Sequence, residues 1–329
     1  MITSACRPLD SFEGETRRAI HAVADAMRLA RSLEGRGHAS MKSDMSPVTV
    51  ADLAIQAVVT ERLAGVRRGL PLIGEEGAAM FETDAELTAP VVEAVRQIIP
   101  DATVARVAEW IGSGGQTPGS CFWTLDPIDG TKGFIHGRQY VVALAVITEG
   151  SVEMSVVGCP RLSLAEGVAR SARGGMAIAV RGQGAWWNAS GDDTCRRLAV
   201  STCADAAVAR VVQSFEAGHG DPDRCARMLR RLGNDRSAWL LDSQAKHVTV
   251  AAGSSDLLVR FPPHPGFHDA VWDQAAGSLL IAEAGGRVTD LAGQSLDFST
   301  GRRLLRNTGM VGSNGLLHAA VLEALHLAR

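Results

Sequence analysis

The stretch from residue 123 to residue 134 reads WTLDPIDGTKGF and contains two aspartates three positions apart. The apolar and β-branched residues up to Leu125 predict the end of a buried strand. Pro127 cannot donate a hydrogen bond to a β-ladder, and it favours an extended conformation at Asp126. We therefore expect the strand to end at Asp126, with a tight turn beyond it.

The turn itself is signalled by Asp129-Gly130, and Thr131 is a candidate helix cap directly after it. Such a turn would point Asp126 and Asp129 at one place and leave the carbonyl of Ile128 free. Carboxylates beside a carbonyl form a hard-oxygen site suited to Mg²⁺, and the backbone amides of Gly130 and Thr131 suit a phosphate. Taken alone, however, an Asp-x-x-Asp-Gly sequence is most often a plain turn after a strand.

Companion segments elsewhere in the chain weaken the plain-turn interpretation. They are PVTVAD at 47–52, IGEE at 73–76, VWDQAAG at 271–277 and EAGG at 283–286. In this order the segments resemble the lithium-sensitive, metal-dependent phosphatases of the inositol monophosphatase superfamily. The resemblance covers most of the chain, roughly residues 42–286. A haloacid-dehalogenase-type phosphatase would need two aspartates two positions apart, and the sequence contains no P-loop motif.

The resemblance implies a layered αβαβα sandwich of the α/β (α+β) class, with two lobes, mixed or antiparallel sheets and the site between the lobes. A composition shift at 191–194, followed by a strand expected at 197–200, places the lobe boundary near residue 197. We therefore expect residues 1–197 to form an N-terminal α+β lobe that carries most metal ligands. Residues 198–329 would form a C-terminal α/β lobe with Asp273 and the substrate-binding residues.

Local patterns predict several individual elements. Apolar periodicity favours long helices over 13–34 and 50–63, and a further helix over 274–284. Between the IGEE segment and the central stretch we expect one helix-like run near 90–99, in an insertion whose residues suggest no chemistry. A strand is expected at 164–169.

Composition and charge restrict the function classes. The chain has 329 residues, of which 46% are hydrophobic, and its 33 basic against 36 acidic residues give a net charge of −3. This balance is unlike that of proteins that bind long nucleic acids. The longest plain apolar run is far shorter than the ~20 residues of a membrane span. Six cysteines without a C-x-x-C pair predict free thiols. We expect a cytoplasmic protein.

By resemblance, five groups hold two to three Mg²⁺ ions. Glu75, Asp126 and the Ile128 carbonyl would hold one ion, and Asp126, Asp129 and Asp273 a second, while a third would bind loosely at Glu75. Two carboxylates ~4 Å apart repel by ~4 kcal/mol at an effective dielectric constant near 20. A cluster of this size therefore implies bound cations.

Catalysis is assigned to Asp52 and Thr131. Direct attack by water is expected, with the Thr131 hydroxyl accepting the water's proton and passing its own to Asp52. The alternative is that Thr131 only caps a helix and that Asp52 only satisfies a helix dipole. In the family the loop that corresponds to residues 37–47 folds over the metal site. By resemblance, Lys42 would lie on this loop.

The substrate class is indicated by two further motifs. GTKGF at 130–134 and DSQAK at 242–246 resemble the 3′(2′),5′-bisphosphate nucleotidases. In place of the first of these motifs, inositol monophosphatases typically have Gly-Thr-Thr-Asn-Phe. Lys246 and Arg260 would contact a second, uncleaved phosphate, and each is otherwise a solvated charge. The expected substrate-binding residues are Gly130, Thr131, Lys132, His219, Ser243, Lys246 and Arg260, with His219 assigned to the adenine pocket.

These motifs predict a phosphatase that removes the 3′-phosphate of adenosine 3′,5′-bisphosphate and gives AMP. The 5′-phosphosulfate form of that nucleotide is a second expected substrate. Two alternatives stay open: an inositol mono- or bisphosphate phosphatase, and a catalytically silent nucleotide-binding protein on the same fold. We expect a small-molecule substrate, no polymeric nucleic acid, no membrane, and a monomer or homodimer.

Overall fold

The computed structural model describes residues 6–35, 39–41, 47–66, 70–164, 174–215 and 221–327. The chain begins with β1 (Cys6–Pro8), a 3-10 helix (Leu9–Ser11), α1 (Gly14–Leu33), β2 (Ala39–Met41), β3 (Pro47–Thr49), α2 (Val50–Leu63) and β4 (Leu72–Gly74). The next segment contains α3 (Ala78–Thr83), α4 (Ala85–Arg96), α5 (Val104–Gly112), a 3-10 helix (Ser113–Gly115), β5 (Cys121–Asp129) and α6 (Thr131–Ile135).

Five strands then follow one another: β6 (Val141–Thr148), β7 (Ser151–Cys159), β8 (Gly175–Val180), β9 (Gly184–Ala189) and β10 (Thr194–Arg197). After a 3-10 helix (Ala206–Val208) come β11 (Val211–Gln213), α7 (Pro222–Arg231), β12 (Trp239–Leu240), α8 (Ala245–Ala251) and β13 (Leu257–Arg260). The last elements are α9 (Val271–Glu283), β14 (Arg287–Thr289), β15 (Met310–Ser313) and α10 (His318–Leu327).

The strands form two large sheets. The first has eight strands in the order β1-β10-β9-β8-β7-β6-β5-β4, antiparallel except for the parallel pair β4–β5. The second has five strands in the order β12-β11-β13-β15-β14, and β11 is parallel to both of its neighbours. The strands before residue 198, apart from the small β2–β3 pair, join the first sheet, and those after it join the second. The lobe boundary near residue 197 stays a prediction.

Three hydrophobic cores hold five layers together. One core joins α1 and α2 to a face of the eight-stranded sheet, and a second lies between the two sheets around α8 and α9. The third joins the outer face of the five-stranded sheet to α7 and α10. The order helix–sheet–helix–sheet–helix confirms the αβαβα prediction.

The course of β5 differs from the prediction that the strand ends at Asp126. The strand continues to Asp129 through a β-bulge: Asp126 pairs with Ala143 of β6, and Asp129 pairs with Val141. Three positions on β5 therefore match two on β6, so both aspartates lie on one face of the sheet. Pro127 is tolerated because it falls inside the bulge, where no ladder hydrogen bond is needed.

Several other expectations can be compared with the structure. The helices predicted over 13–34 and 50–63 are confirmed within one residue at each end. The strand expected at 197–200 is wrong, since β10 ends where that strand should begin. The helix expected over 274–284 starts three residues earlier, at Val271. Residues 165–169 of the strand expected at 164–169 lie outside the described residues.

The insertion contains three α-helices where one helix-like run was expected. The run expected at 90–99 overlaps the second half of α4, which begins at Ala85, ends at Arg96 and contains Pro90 inside it. The missed signals are two capping side chains: Asp84 accepts a hydrogen bond from Glu86 N, and Thr103 accepts one from Arg106 N.

Two bulk expectations can also be checked. All six cysteines are free thiols, and three of them are buried. Among the helices of the described ranges, none combines the length and the apolar character needed to cross a membrane.

Candidate active site

A cleft of about 390 Å³ opens where the end of β5 meets the segments that lead into α8 and α9. Most of the residues predicted for the site line it: Glu75, Asp126, Ile128, Asp129, Gly130, Thr131, Lys132, Ser243, Lys246, Arg260 and Asp273. The structure thus brings together residues that lie up to 198 positions apart in the sequence (273 − 75).

Asp126 is the most deeply buried carboxylate of the cleft, with 2% of its surface exposed. Burial raises its pKa well above the usual range, and the charges of Glu75, Asp129, Asp273 and Asp52 raise it further. Its Oδ1 atom is buried and has no hydrogen-bond partner among the described residues. An unpaired buried oxygen beside four other carboxylates is suited to a cation.

Glu75 is brought next to Asp126 by the parallel pairing of β4 with β5. Gly74 lies opposite Leu125, and the amide of Glu75 donates to the carbonyl of Leu125 at 3.2 Å. The next residue on each strand, Glu75 and Asp126, therefore projects from the same end of the sheet. Glu75 is only half-buried.

Asp129 is held from the opposite side of the cleft. Its Oδ2 accepts a hydrogen bond of 2.6 Å from the backbone N–H of Gln244. Burial raises the pKa of Asp129, while the nearby ammonium of Lys246 lowers it. This aspartate therefore connects the bulge of β5 to the beginning of α8.

Asp273 lies in the first turn of α9, where its Oδ2 accepts a hydrogen bond of 3.3 Å from Ala270 N. Burial raises the pKa of Asp273 to about 7; Arg260 opposes this shift, and Asp269 strengthens it. The carboxyl is thus poised between its neutral and charged forms near pH 7 when no cation is bound.

The metal-ligand set stays a prediction. Across the described ranges, no group of three or more His, Cys, Asp or Glu side chains is arranged closely enough to hold an ion as it stands. The buried unpaired oxygen of Asp126 and the all-oxygen donor set nevertheless fit a hard cation such as Mg²⁺. Binding would require the carboxylates to draw together around the ion.

Asp52 and Thr131, the expected catalytic pair, have other partners in this structure. Asp52 Oδ2 accepts from Thr49 N at 2.8 Å and from Thr49 Oγ1 at 2.6 Å. The first of these bonds, together with the one from Asp52 N to Thr49 Oγ1 at 3.4 Å, forms a capping box at the start of α2. Thr131 Oγ1 donates to the carbonyl of Ile128 at 3.1 Å. Within the part of the chain that the structure describes, no hydrogen bond joins Thr131 to Asp52. The proton relay stays a prediction.

Lys246 and Arg260 form the cationic end of the cleft. Lys246 is 6% exposed, and burial lowers its pKa to about 8, against the opposing effect of Asp129. Arg260 Nε donates to Asp269 Oδ1 at 2.7 Å. Neither Lys246 Nζ nor the Nη groups of Arg260 have a hydrogen-bond partner among the described residues.

Gly130 and Ser243 lie close together across the cleft. Gly130 has a φ of 92°, and a Cβ placed on it would lie 3.3 Å from the Cβ of Ser243. Ser243 itself has a φ of 65°, an uncommon conformation for a residue with a side chain. Backbone strain of this kind is frequent at ligand-binding sites.

Some residues of the site were assigned no role from the sequence. The backbone N–H of Gln244 donates to Asp129. Its side-chain amide donates to Trp272 O and accepts from Gly277 N. Its position inside DSQAK was the available signal. Thr49 could have been paired with Asp52 from the Thr-x-x-Asp spacing of a capping box, whereas no spacing rule pairs Asp269 with Arg260. His219, expected near the adenine, lies outside the described residues, as does Lys42.

Comparisons with known proteins agree with this architecture. A model of the inositol monophosphatase family matches residues 10–328. A 3′(2′),5′-bisphosphate nucleotidase from Schizosaccharomyces pombe is 32% identical over 338 residues, or 95% of each chain. A 3′(2′),5′-bisphosphate nucleotidase from Oryza sativa is 32% identical over 339 residues, covering 95% of this chain and 94% of the relative.

Solved structures show the same fold. An IMPase from Thermotoga maritima superposes with a TM-score of 0.65 at 21% identity, covering 94% of this chain and 95% of the other. CysQ from Bacteroides thetaiotaomicron, a bacterial member of the inositol monophosphatase family, gives 0.60 at 20% identity, with 92% and 98% covered. The five-layer α/β fold is thus the inositol monophosphatase fold that the sequence motifs first suggested. The chain belongs to the inositol monophosphatase family.

Proposed function

We propose that this protein is a Mg²⁺-dependent phosphatase that hydrolyses the 3′-phosphate of adenosine 3′,5′-bisphosphate to give AMP and phosphate. The relatives that carry the name 3′(2′),5′-bisphosphate nucleotidase match nearly the whole chain, which supports this activity. The 5′-phosphosulfate form of the nucleotide is a second substrate of the proposal.

The observation that carries the proposal is the cationic end of the cleft. Lys246 is only 6% exposed, and its ammonium faces the cleft without a hydrogen-bond partner among the described residues, so an anionic ligand would stabilise it. Arg260 adds two Nη groups beside it. The acidic end, with Asp126 and Asp129, would hold the phosphate that is cleaved through its cations. A substrate with two phosphates satisfies both ends, whereas a monophosphate leaves one end unused.

At the acidic end, Glu75, Asp126, Asp129, Asp273 and the Ile128 carbonyl would hold two to three Mg²⁺ ions. Bound Mg²⁺ would supply the positive charge that lowers the pKa of the attacking water and stabilises the leaving oxygen.

The chain's own groups would orient the substrate and move one proton. Lys246 and Arg260 would fix the uncleaved phosphate, so that the 3′-phosphate is directed to the acidic end. Thr131 Oγ1, after turning from the Ile128 carbonyl, would accept the proton of the water and pass its own to Asp52. Gln244 would keep Asp129 in place through its amide.

The decisive experiment measures phosphate release from adenosine 3′,5′-bisphosphate, adenosine 3′-monophosphate and inositol phosphates, with Mg²⁺ and with excess chelator. We expect the bisphosphate to be preferred and activity to require Mg²⁺. Lys246→Ala should raise KM for the bisphosphate roughly tenfold or more, because a charge-assisted hydrogen bond is worth ~1.5–3 kcal/mol. Hydrolysis of adenosine 3′-monophosphate should change little.

Each alternative gives a different result in this experiment. Preference for an inositol phosphate would show that the protein is an inositol mono- or bisphosphate phosphatase. Full activity in excess chelator would exclude the metal mechanism, and no hydrolysis of any substrate would favour a silent nucleotide-binding protein. Equal losses on both adenosine substrates would show that Lys246 supports the fold instead. Cytoplasmic location and a monomeric or homodimeric state remain predictions.

A further inference from the structure

The side chain of Arg302 links the C-terminal part of the chain, which forms the second sheet, to elements of the N-terminal part. It lies in the long connection between β14 and β15, and its guanidinium is half-buried. Nη2 donates to the carbonyl of Gly74 at 2.6 Å, and Nη1 donates to the carbonyl of Gly114 at 2.8 Å. One planar fork thus grips two carbonyls of the N-terminal elements, a geometry that a lysine cannot reproduce.

The same residue also grips the beginning of α9. The guanidinium carbon lies 4.7 Å from the ring centre of Trp272, a cation–π contact, and the Arg302 carbonyl accepts a hydrogen bond of 3.0 Å from Val271 N. Trp272 directly precedes Asp273, just as Gly74 directly precedes Glu75. Arg302 is therefore in contact with the neighbours of two cleft carboxylates, Glu75 directly after β4 and Asp273 in α9.

The charge of Arg302 is not used in an ion pair within the described ranges. Its hydrogen bonds go to neutral carbonyls, and burial lowers its pKa, with a further contribution from Arg303. Keeping a half-buried cation for such contacts costs solvation free energy, and the benefit lies in the geometry that the guanidinium imposes on its partners.

We propose that Arg302 is a positioning residue that sets the separation of Glu75 and Asp273, and so prepares the cleft to bind its cations. The proposal rests on the proposed metal-dependent function. Glu75 and Asp273 both act on the charge of Asp126, so without a cation the three carboxylates repel one another. The contacts of Arg302 link the segments that carry Glu75 and Asp273 and so oppose their moving apart. The carboxylates then stay close enough together for a cation to bind between them.

The test compares Arg302→Ala and Arg302→Lys with the wild type and with Arg303→Ala as a matched control. Arg303 is the exposed neighbour, and its side chain donates to His268 O without leaving the C-terminal elements. Two quantities are measured for each: the Mg²⁺ concentration for half-maximal activity, and the rise in melting temperature during a Mg²⁺ titration without substrate.

We expect Arg302→Ala to raise the half-saturating Mg²⁺ concentration about 10–100-fold in both measurements, the usual effect of removing a group that orients metal ligands. The kcat at saturating Mg²⁺ should stay within a few-fold of the wild type. Arg302→Lys should give a smaller shift, because an ammonium can reach one carbonyl only, and Arg303→Ala should give none.

A lower melting temperature with unchanged Mg²⁺ titrations would overturn the proposal, since Arg302 would then support the fold alone. If Arg302→Ala does not fold, the titrations of Arg302→Lys decide in the same way. A wild type without any Mg²⁺-induced stabilisation or activity would refute the proposed function first, and the role of Arg302 with it.

Discussion

The acidic residues of the cleft lower the stability of the metal-free protein, because they are buried and repel one another. Asp126, Asp129 and Asp273 are all shifted by burial towards the neutral form, and neighbouring carboxylates add to the shift at Asp126 and Asp273. Such a cluster destabilises the metal-free protein and becomes favourable only when cations are bound. Removing one charge should therefore affect folding and binding in opposite directions.

Asp273→Asn tests this opposition. The folded pKa of Asp273 is about 7, above the ordinary value near 4, so the folded state binds the extra proton between these pH values. The contribution of Asp273 to the free energy of unfolding of the metal-free wild type should rise as the pH falls from about 7 to about 4. This contribution should be lowest above pH 7.

In Asp273→Asn we expect a higher melting temperature without metal at pH 8, loss of this pH dependence, and loss of the Mg²⁺-induced rise. The asparagine oxygen can still accept the hydrogen bond from Ala270 N, so α9 keeps its cap. Calorimetry at pH 5 and pH 8 measures all three effects. Asp101→Asn, at an exposed acid, is the control and should change none of them. A metal-free melting temperature that falls in Asp273→Asn would contradict this account.

At the level of elements, the contact between α8 and α9 positions much of the cleft. The side chain of Gln244 joins the two helices, and Gly277 of α9 lies against the ring of His247 in α8. A Cβ at residue 277 would come within 2.4 Å of that ring, which is buried. Lys246 precedes this histidine, so the helix contact also sets the place of the ammonium.

Gly277→Ala should therefore destabilise the protein by about 1–3 kcal/mol, the usual cost of overpacking a core. It should also raise KM for the bisphosphate, because α8 must move and takes Lys246 with it. Gly14→Ala, at a helical glycine with open space around it, should be neutral or slightly stabilising. Denaturant unfolding and KM are measured on both variants. Equal stabilities would show that α8 and α9 adjust without strain.

Sequence patterns predicted the elements whose signals are local. The helices α1 and α2 follow from apolar periodicity, and the five-layer order follows from the family motifs. The bulge in β5 was missed because Pro127 ends most strands and its tolerance depends on the partner strand. The contacts of Gln244 with Asp129 and of Arg302 with Gly74 join residues 115 and 228 positions apart, and no spacing rule encodes such pairs.

For the whole molecule, pH dependence of stability has a second source, outside the residues that line the cleft. His318, at the start of α10, is fully buried between β14 and β15. Thr289 Oγ1 donates to Asp290 O, so it accepts from Nε2 of His318 at 2.9 Å, and Ser313 Oγ donates to Nδ1 at 2.9 Å. This arrangement requires the neutral ring, and burial lowers the pKa of His318 to about 4.

An unfolded histidine titrates near pH 6.5, so between about pH 6.5 and 4 the unfolded chain binds the proton first. We expect His318 to lower stability progressively as the pH falls through this window, by on the order of 1–2 kcal/mol at pH 5. His318→Gln should lose stability at pH 7 but show a shallower decline towards pH 5. Urea unfolding at both pH values, with Mg²⁺ present, gives the comparison. Parallel declines would mean that the ring becomes charged inside the fold.

The bulge in β5 also bears on how accurately the chain finds its register. A regular strand through this segment would place Asp126 and Asp129 on opposite faces and shift every later residue by one against β6. In that competing pairing, Pro127 would occupy a ladder position and leave one hydrogen bond unmade, whereas in the bulge neither Pro127 nor Ile128 has a ladder partner. The proline therefore disfavours the slipped register during folding and leaves the functional one untouched.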